Sequence, residues 1–305
     1  MKKSYFLMAA AAALFAACAE TDFVNEAVVV EETPTLIGFE TFSNKLTRAG
    51  DEELHDGGFR VWGYAAENTV FNGANVTWNK PESKWDCDVK RYWSKSATYN
   101  FYASAPIAGG ATWDNTNQKF TISGAQSGTD YLTATKLGVT RENNTDASVE
   151  FTFNHVMSKV SLKLQKGDNI DQDLIVTSVE MTGWDDRDGS YDSKATPTWT
   201  QSGADKAGTA AFVTTSTGLI TTSPTAVANE FLIIPQKVES LQFTISYTLG
   251  GVAFNGYVAT LPDQTWSENQ HTTYTLTIGP ELITFGTQQV AGWATSATPG
   301  TSIGD

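Results

Sequence analysis

Apolar and polar residues alternate in short runs along most of the chain, and turn residues separate the runs. Three runs place large apolar side chains on one face: Val160, Leu162 and Leu164; Phe243, Ile245 and Tyr247; Tyr274, Leu276 and Ile278. This period of two is typical of half-buried β-strands. No segment keeps a helical period for more than about two turns. The pattern therefore predicts an all-β protein built from many short strands.

The composition supports this prediction and limits the possible functions. The 305 residues include 16 Phe, 10 Tyr and 9 Trp, and aromatic side chains favour pleated, half-buried surfaces. The net charge is −14, with no basic run after residue 3, which makes nucleic acids and anionic lipid headgroups poor partners. With only Cys18 and Cys87, the chain can form neither a disulfide framework nor a cysteine zinc site.

The first 17 residues are typical of a secretory signal peptide. Lys2 and Lys3 precede an apolar run over residues 5–17, which is too short for a membrane-spanning helix. The sequence LFAAC, ending at Cys18, resembles a bacterial lipobox, so we expect lipidation at Cys18. The acidic residues 19–22 resemble export tags of Bacteroidetes surface lipoproteins. The alternative is an ordinary signal peptide cleaved near Ala17, with Cys18 incidental.

A leader of residues 18–48 is predicted to follow the signal peptide. Residues 36–42, which include Leu36 and Phe42, are rich in strand formers, with Ile37 and Phe39 on one face and Leu36 on the other. Arg48 then lies in a small, polar stretch of the kind in which proteolysis concentrates. We expect cleavage between Arg48 and Ala49, although a lone arginine in a polar loop can also be only a solvated charge.

These features, taken together, resemble the fimbrillin family, the type V pilus subunits of Bacteroidales. The matching stretches are the lipobox, IGFETFSN (37–44), TRA (47–49), FRVWGY (59–64), RYWSKSATYNFYASAP (91–106), FTFNHVMSKVSLKL (151–164), EFLIIPQ (230–236) and LPDQTWSENQHTTYTLTI (261–278). The resemblance implies two tandem transthyretin-like β-sandwiches after a lipoprotein leader, at residues 49–149 and 150–305.

The resemblance also implies a mechanism of assembly. The leader strand fills a groove of its own subunit until an arginine-specific protease removes it, and a C-terminal strand of a neighbouring subunit then fills the groove. The expected donor is residues 282–293, with Ile283 and Phe285 on one face and with Val290 and Trp293 adding contacts after a turn at Gly286.

The donor assignment has an alternative, because residues 282–293 can also be a last edge strand of their own sheet. Residues 294–305 form a tail rich in Thr, Ser, Ala and Gly after the expected donor, which is unusual for a simple stalk subunit. The chain can therefore be a stalk, minor, tip or anchor component. The partners we expect are neighbouring pilus subunits, the protease and, before processing, the outer membrane, with a host or glycan ligand possible.

The sequence contains no pattern that indicates catalysis, a cofactor or a metal site. His55, His155 and His271 are far apart, and none has a metal-ligand spacing. The acidic turn at residues 185–188 lacks a complete calcium loop and is expected to be solvated. Trp184 and Trp199 are expected in a core rather than as sugar platforms.

The functional prediction is therefore a non-enzymatic subunit of a fimbria at the surface of the outer membrane. The alternative is a permanently lipid-anchored surface protein that binds a glycan or host ligand and does not polymerise.

Overall fold

The computed structural model describes residues 34–43, 54–124, 128–144, 148–194, 196–279, 282–286 and 288–293. From Thr35 onward, they belong to one compact unit. These residues form 24 strands and one helical turn at residues 54–57, so the predicted all-β class is confirmed. Among the described residues, no helix has the length and apolar character needed to cross a membrane.

The first half of the chain contributes nine strands. They are β1 (Gly38–Ser43), β2 (Phe59–Ala65), β3 (Asn68–Asn79), β4 (Lys84–Cys87), β5 (Thr98–Ala105), β6 (Thr112–Asp114), β7 (Lys119–Ile122), β8 (Leu132–Thr140) and β9 (Ser148–His155). Seven of them form one sheet in the order β1-β9-β8-β5-β2-β3-β4. Pairing between β1 and β9 is parallel, and the other neighbours in this sheet are antiparallel.

The second half of the chain contributes fifteen strands, which range from two to twelve residues in length. They are β10 (Ser158–Lys166), β11 (Leu174–Asp185), β12 (Asp188–Asp192), β13 (Thr198–Ser202), β14 (Ala207–Val213), β15 (Leu219–Ile220), β16 (Thr225–Ala226), β17 (Phe231–Ile233), β18 (Gln236–Val238), β19 (Gln242–Leu249), β20 (Val252–Thr260), β21 (Gln264–Trp266), β22 (Gln270–Ile278), β23 (Ile283–Phe285) and β24 (Gln289–Gly292). One sheet has the order β16-β10-β22-β23, with β24 also on β22, and another has the order β14-β11-β19-β20.

Two of the buried clusters are built from different parts of the chain, one from residues up to the end of β9 and the other from β10 onward. The first is built by the seven-stranded sheet and includes Phe59, Phe71, Phe101 and Phe151. In the second, the alternating residues of β10, β19 and β22 meet, as their sequence pattern predicts. Packing of the β10–β22 sheet against the β11–β19 sheet is thus the origin of the second core.

A third cluster combines residues from both halves of the chain. Trp62, Tyr102, Met157 and Ile234 are among its buried members. Strand β12 also pairs with β7, which joins the two halves in the four-stranded sheet β13-β12-β7-β6. The predicted division into tandem transthyretin-like sandwiches, at residues 49–149 and 150–305, stays a prediction.

Candidate functional site: the leader strand and the C-terminal segment

The predicted leader strand is β1, at one edge of the seven-stranded sheet. Its residues pair with β9 in a register that sets Gly38 opposite Ser148 and Phe39 opposite Val149. Ile37 and Phe39 are buried at 4% and 2% exposure, whereas Leu36 is 42% exposed. The apolar pair therefore faces the core, and Leu36 points away from it.

Phe39 is the centre of an aromatic cluster in the first core. Its ring centroid lies 5.3 Å from that of Phe71 and 5.9 Å from that of Phe101, with edge-on geometry at both. Its ring also stacks on Phe151, at 5.9 Å and 13°. We call the groove that holds residues 35–41 the leader slot, with Phe71, Phe101 and Phe151 as its floor. Burial of a phenylalanine in such a slot is worth about 1.5–3 kcal/mol relative to exposure.

The leader slot has hydrogen-bonding edges on both sides of the strand. On one side is β9, and on the other the Ile37 N–H donates to Arg91 O at 2.8 Å and the Trp93 N–H donates to Thr35 O at 2.9 Å. The Trp85 indole also donates to Thr41 Oγ1 at 3.1 Å. The leader thus connects β9 to the chain that follows β4, and its removal leaves unpaired backbone groups at two edges.

One contact in the slot is unfavourable. Glu40 lies directly opposite Glu150 of β9 in the parallel register. Burial, and next the charge of Glu150, raise the pKa of the Glu40 carboxyl. Like charges in opposite positions of a sheet are destabilising. The leader therefore combines well-buried apolar anchors with a repulsive pair.

The remaining predicted leader residues are only partly described. The backbone of Phe42 lies in β1, opposite Thr152. Cys18, Arg48 and Ala49, the expected lipidation and cleavage residues, lie outside the residues that the structure describes.

The C-terminal segment, residues 282–293, lies along β22 in the same chain. Strand β23 pairs with residues 276–278 and β24 pairs with residues 270–273, both antiparallel. Ile283 and Phe285 are partly buried against the second core, and Val290 is 52% exposed. The predicted turn at Gly286 is wrong, because the Gly286 N–H stays bonded to Thr275 O at 3.0 Å and the segment follows β22 on both sides of it.

Trp293 anchors the end of this segment to β9. Its ring stacks on His155 at 4.4 Å between centroids and 3° between planes, and its backbone N–H donates to the Asn269 carbonyl oxygen at 2.9 Å. Lys159 Nζ lies over the indole, 6.0 Å from the ring centroid. His155 is itself buried, with Nδ1 2.8 Å from Asp130 Oδ2. His155 is thus a packed histidine rather than an exposed one.

His271 lies next to the segment and is also packed. It faces Ala291 across the β22–β24 pair, and its Nε2 lies 2.8 Å from Ser161 Oγ. Burial, aided by the charge of Lys159, lowers the pKa of His271. The C-terminal segment is held at this point by the backbone pairing of β24 with β22, while the His271 side chain contacts β10.

The other residues considered for chemistry are structural in the described part of the chain. Asp186 is buried and pairs with Lys206 at 2.8 Å, so the acidic turn is not simply solvated as expected. Trp184 is a core residue, and the Trp199 indole donates to Val156 O at 3.1 Å. Burial is the main cause of a raised pKa at the Cys87 thiol. No group of three or more His, Cys, Asp or Glu among the described residues is arranged to hold a metal ion.

Sequence reasoning missed the residues that form the slot. Phe71, Phe101 and Phe151 are large apolar residues of the kind found in protein cores, but nothing in the local sequence shows that they surround Phe39. Glu150 could not be recognised either, because its partner Glu40 is more than 100 residues earlier. The sequence feature that points to part of this groove is the spacing of aromatic residues two positions apart, Tyr99 with Phe101 and Phe151 with Phe153, which places each pair on one face of a strand.

A comparison with protein-family models decides the family. The model described as fimbrillin-like matches residues 47–293, which include the described C-terminal segment and most of the slot. The chain belongs to the fimbrillin-like family. It is accordingly a fimbrial or adhesion-type protein of the cell surface, in a family of structural proteins rather than enzymes. The resemblance seen in the sequence is thereby confirmed.

Solved structures agree on the fold of this fimbrillin-like chain. A fimbrial protein from Bacteroides vulgatus has a TM-score of 0.64 at 18% identity, over 85% of this chain and 99% of that one. A protein assigned to cell adhesion from Bacteroides uniformis has a TM-score of 0.57 at 15% identity, over 85% and 99% of the two chains. Another from Bacteroides ovatus has a TM-score of 0.55 at 13% identity, over 87% and 100%. A search of curated protein sequences finds no significant match.

Proposed function

We propose that this chain is a structural subunit of a cell-surface fimbria that assembles by β-strand exchange. The precursor is lipidated at Cys18 and carried to the surface of the outer membrane. An arginine-specific protease then cuts between Arg48 and Ala49. Removal of the leader opens the slot, and a strand of a neighbouring subunit fills it.

The observation that carries the proposal is the way in which the leader strand is held. Ile37 and Phe39 fill an aromatic groove, and the backbone around them bonds to chain on both sides. An emptied groove of this kind has buried apolar walls and unpaired N–H and C=O groups. An extended strand with apolar residues two positions apart covers the walls with its side chains and pairs the N–H and C=O groups with its backbone.

The location of the expected cut fits this role. Arg48 follows the last residue of β1, Ser43, by only five positions. A cut there separates the lipid and the whole of β1 from the body of the subunit, and the body keeps β9 and the other slot residues. Since the acceptor groove and the C-terminal segment are different surfaces, each contact is head to tail and a filament can grow.

The alternative is a permanently lipid-anchored surface protein that binds a glycan or host ligand. One observation favours it: the C-terminal segment is already paired along β22 and fastened through Trp293. A segment that never leaves β22 cannot be donated. The two functions differ in whether processing at Arg48 produces oligomers.

The test uses the chain from Ala19 onward, which lacks the lipidation residue. It is treated with an arginine-specific protease and followed by N-terminal sequencing, unboiled gels and negative-stain microscopy. We expect one new N-terminus at Ala49, followed by a ladder of oligomers or filaments. Arg48→Lys, which keeps the charge but removes the cleavage site, should prevent both.

Two outcomes contradict the proposal. Resistance of Arg48 in the folded chain removes the processing step and favours the anchored binding protein. Clean cleavage that leaves only monomers excludes a self-assembling stalk and leaves a tip or minor component that needs another subunit.

A further inference from the structure

Strand β20 (Val252–Thr260) forms an edge of the sheet β14-β11-β19-β20. It pairs with β19 along one side, and no strand in the described part of the chain pairs with its other side. A strand in this position exposes a row of backbone N–H and C=O groups. The free side of β20 can therefore form backbone hydrogen bonds with a strand from another molecule.

The exposed side chains of β20 are largely apolar, and none of them is charged. Val252, Tyr257 and Val258 are 61%, 46% and 57% exposed. Sheets are commonly protected at a free edge by charged side chains, especially lysine. Between Glu239 and Asp263, however, the chain has no charged residue. The hairpin of β19 and β20 is thus an uncharged surface without the usual protection against pairing.

Tyr257 shows that the second core does not cover the whole inner face of β20. It lies opposite Ile245, which is buried in that core, so both side chains point to the same face of the sheet. Its ring centroid is 5.9 Å from that of Tyr247 and 6.1 Å from that of Phe254. The Tyr257 side chain is nevertheless nearly half exposed. Another strand placed beside β20 would cover part of this ring.

A β-bulge limits the length of the edge that is available for regular pairing. Residues 255 and 256 both lie opposite Ser246 of β19, and Gly256 has a φ of +68°. Bulges bend a strand and interrupt its pairing. The part after the bulge, residues 257–260, stays in register with β19. Because this regular edge is short, we expect a partner strand to form a weak and reversible contact with it.

We propose that β20 pairs with β20 of a second copy of this chain, antiparallel and about a two-fold axis at Val258. Val258 then lies opposite its own counterpart, and Tyr257 lies opposite Ala259 of the second copy. The sheets that contain β20 join into one continuous sheet across the two copies. The contact uses neither the leader slot nor the C-terminal segment, so it goes beyond the proposed strand exchange and does not depend on it.

The register follows from the sizes of the side chains. Opposite residues of an antiparallel pair lie on the same face of the sheet, and a two-fold axis perpendicular to the sheet keeps the inner faces of both copies together. The exposed ring of Tyr257 then covers the small Ala259, while Val258 covers its counterpart on the outer face. A shift of the axis by one residue places two tyrosines or two alanines opposite each other, and the match of large and small side chains is lost.

The charge of the chain favours a second copy over a charged partner. With a net charge of −14, two copies repel each other over most of their surface. The uncharged hairpin of β19 and β20 lets them approach with little repulsion, and it offers an acidic or basic partner no ion pair. A two-fold contact closes with two copies, so in a fimbria it joins subunits of neighbouring filaments side by side. Many weak contacts along two filaments then act together.

A self-cross-link at the two-fold axis tests the partner and the register together. The uncut chain from Ala19 onward carries Val258→Cys and is mildly oxidised. Opposite residues of a sheet are within disulfide range, so we expect a covalent dimer on non-reducing gels. Thr260→Cys is the matched control on the same outer face, because the two-fold axis separates the two copies of residue 260 by roughly 13 Å along the strands. The unsubstituted chain controls for Cys87.

The yield of covalent dimer from Val258→Cys should exceed that from Thr260→Cys by about tenfold or more. Equal yields, no dimer from either variant, or a higher yield from Thr260→Cys each overturn the proposed contact. Because the uncut chain is used, a failure of cleavage at Arg48 or of strand exchange leaves this result unaffected.

Sedimentation equilibrium of the uncut chain without added cysteines gives an independent readout. Val258→Glu places two like charges opposite each other at the axis, so it should raise the dissociation constant of the dimer about tenfold, and less at high salt. Leu137→Glu, at a position of β8 that is 43% exposed, adds the same charge away from β20 and is the matched control.

The unsubstituted chain and Leu137→Glu should form dimers with similar dissociation constants, below about 1 mM. A chain that stays monomeric up to that concentration, or equal association of the two variants, overturns the proposal. Matching melting temperatures of Val258→Glu and Leu137→Glu show that a difference in association does not come from unfolding.

Discussion

Trp293 lies flat against His155, with ring centroids 4.4 Å apart and planes inclined by 3°. His155 is the last residue of β9, the strand that pairs with the leader, and Trp293 is the last described residue of the C-terminal segment. One end of β9 therefore holds the segment that we propose to be donated, and the rest of the strand forms an edge of the slot that receives such a segment.

Trp293→Ala should loosen the C-terminal segment without unfolding the protein. Loss of the aromatic pair removes about 0.5–1.5 kcal/mol of local stabilisation. Hydrogen exchange should become faster at the amides of residues 289–292 that bond to β22, and oligomers should form faster after cleavage. Val290→Ala, at a position 52% exposed, is the control and should leave the exchange unchanged. Unchanged exchange in Trp293→Ala would show that the backbone pairing alone holds the segment.

Phe39→Ala should be the most destabilising single change in the leader. The ring is 2% exposed and contacts three other phenylalanines, so we expect a loss of about 3–5 kcal/mol in the free energy of unfolding. Urea denaturation of the uncut chain measures it. Leu36 points away from the core, so Leu36→Ala should lower the free energy of unfolding by less than about 1 kcal/mol. Similar losses for the two variants would contradict the burial of Phe39 as the anchor.

Local patterns were sufficient for several of the longer strands and for the direction in which leader side chains point. The alternation of Val160, Leu162 and Leu164 predicted a half-buried strand, and all three are buried in β10. Ile37 and Phe39, two positions apart, were likewise expected on one face. Such features depend on the period of the strand, which can be read within a few residues.

Partners far apart in the sequence could not be predicted in this way. The pairing of β1 with β9 is parallel and joins residues more than 100 positions apart, and a local pattern carries no information on it. Asp186 was expected in solvent for the same reason. Its counter-ion, Lys206, is 20 residues later in the chain, and the carboxylate is buried beneath that contact.

The expected turn at Gly286 failed for a different reason. Glycine is a common turn residue, but it is also tolerated inside an edge strand where the backbone is irregular. The Gly286 N–H remains bonded to Thr275 O, so tertiary pairing with β22 decided the conformation.

Tyr274 should make the stability of the protein fall at alkaline pH. Burial raises the pKa of its phenol from 10.0 to about 12, and the hydroxyl accepts a hydrogen bond of 2.9 Å from the Trp266 indole. The folded state keeps a proton that the unfolded chain releases above pH 10. Stability should therefore decrease between pH 10 and 12, by up to about 1.4 kcal/mol per pH unit.

Tyr274→Phe removes this titration and leaves the buried indole N–H without its acceptor. We expect a loss of about 1–3 kcal/mol at pH 7 and a flatter stability profile above pH 10. Thermal melts across this range measure both. Tyr92→Phe, at a position 57% exposed, is the control and should behave like the unsubstituted chain. An unchanged alkaline slope in Tyr274→Phe would assign the effect to other groups.

Because of Glu40, the leader strand should be held less firmly in its slot at neutral pH than at mildly acidic pH. Its raised pKa means that the folded state binds the Glu40 proton more tightly than the unfolded chain does. The loss of folding stability caused by the Glu40 charge is at its largest above the raised pKa of the folded state, and it shrinks as the pH falls through that pKa. Glu40→Gln should thus stabilise the uncut chain at pH 7 by a few tenths of a kcal/mol, or roughly 1 °C in Tm.

The consequence for assembly follows from the same charge. A leader without Glu40 competes better for the slot, so Glu40→Gln should slow the replacement of a cut leader by a donor strand, and added salt should reduce the difference. Glu67→Gln, in the exposed turn between β2 and β3, removes an equal charge away from the slot and serves as the control. Faster replacement in Glu40→Gln than in this control would mean that the Glu40–Glu150 contact does not weaken the leader.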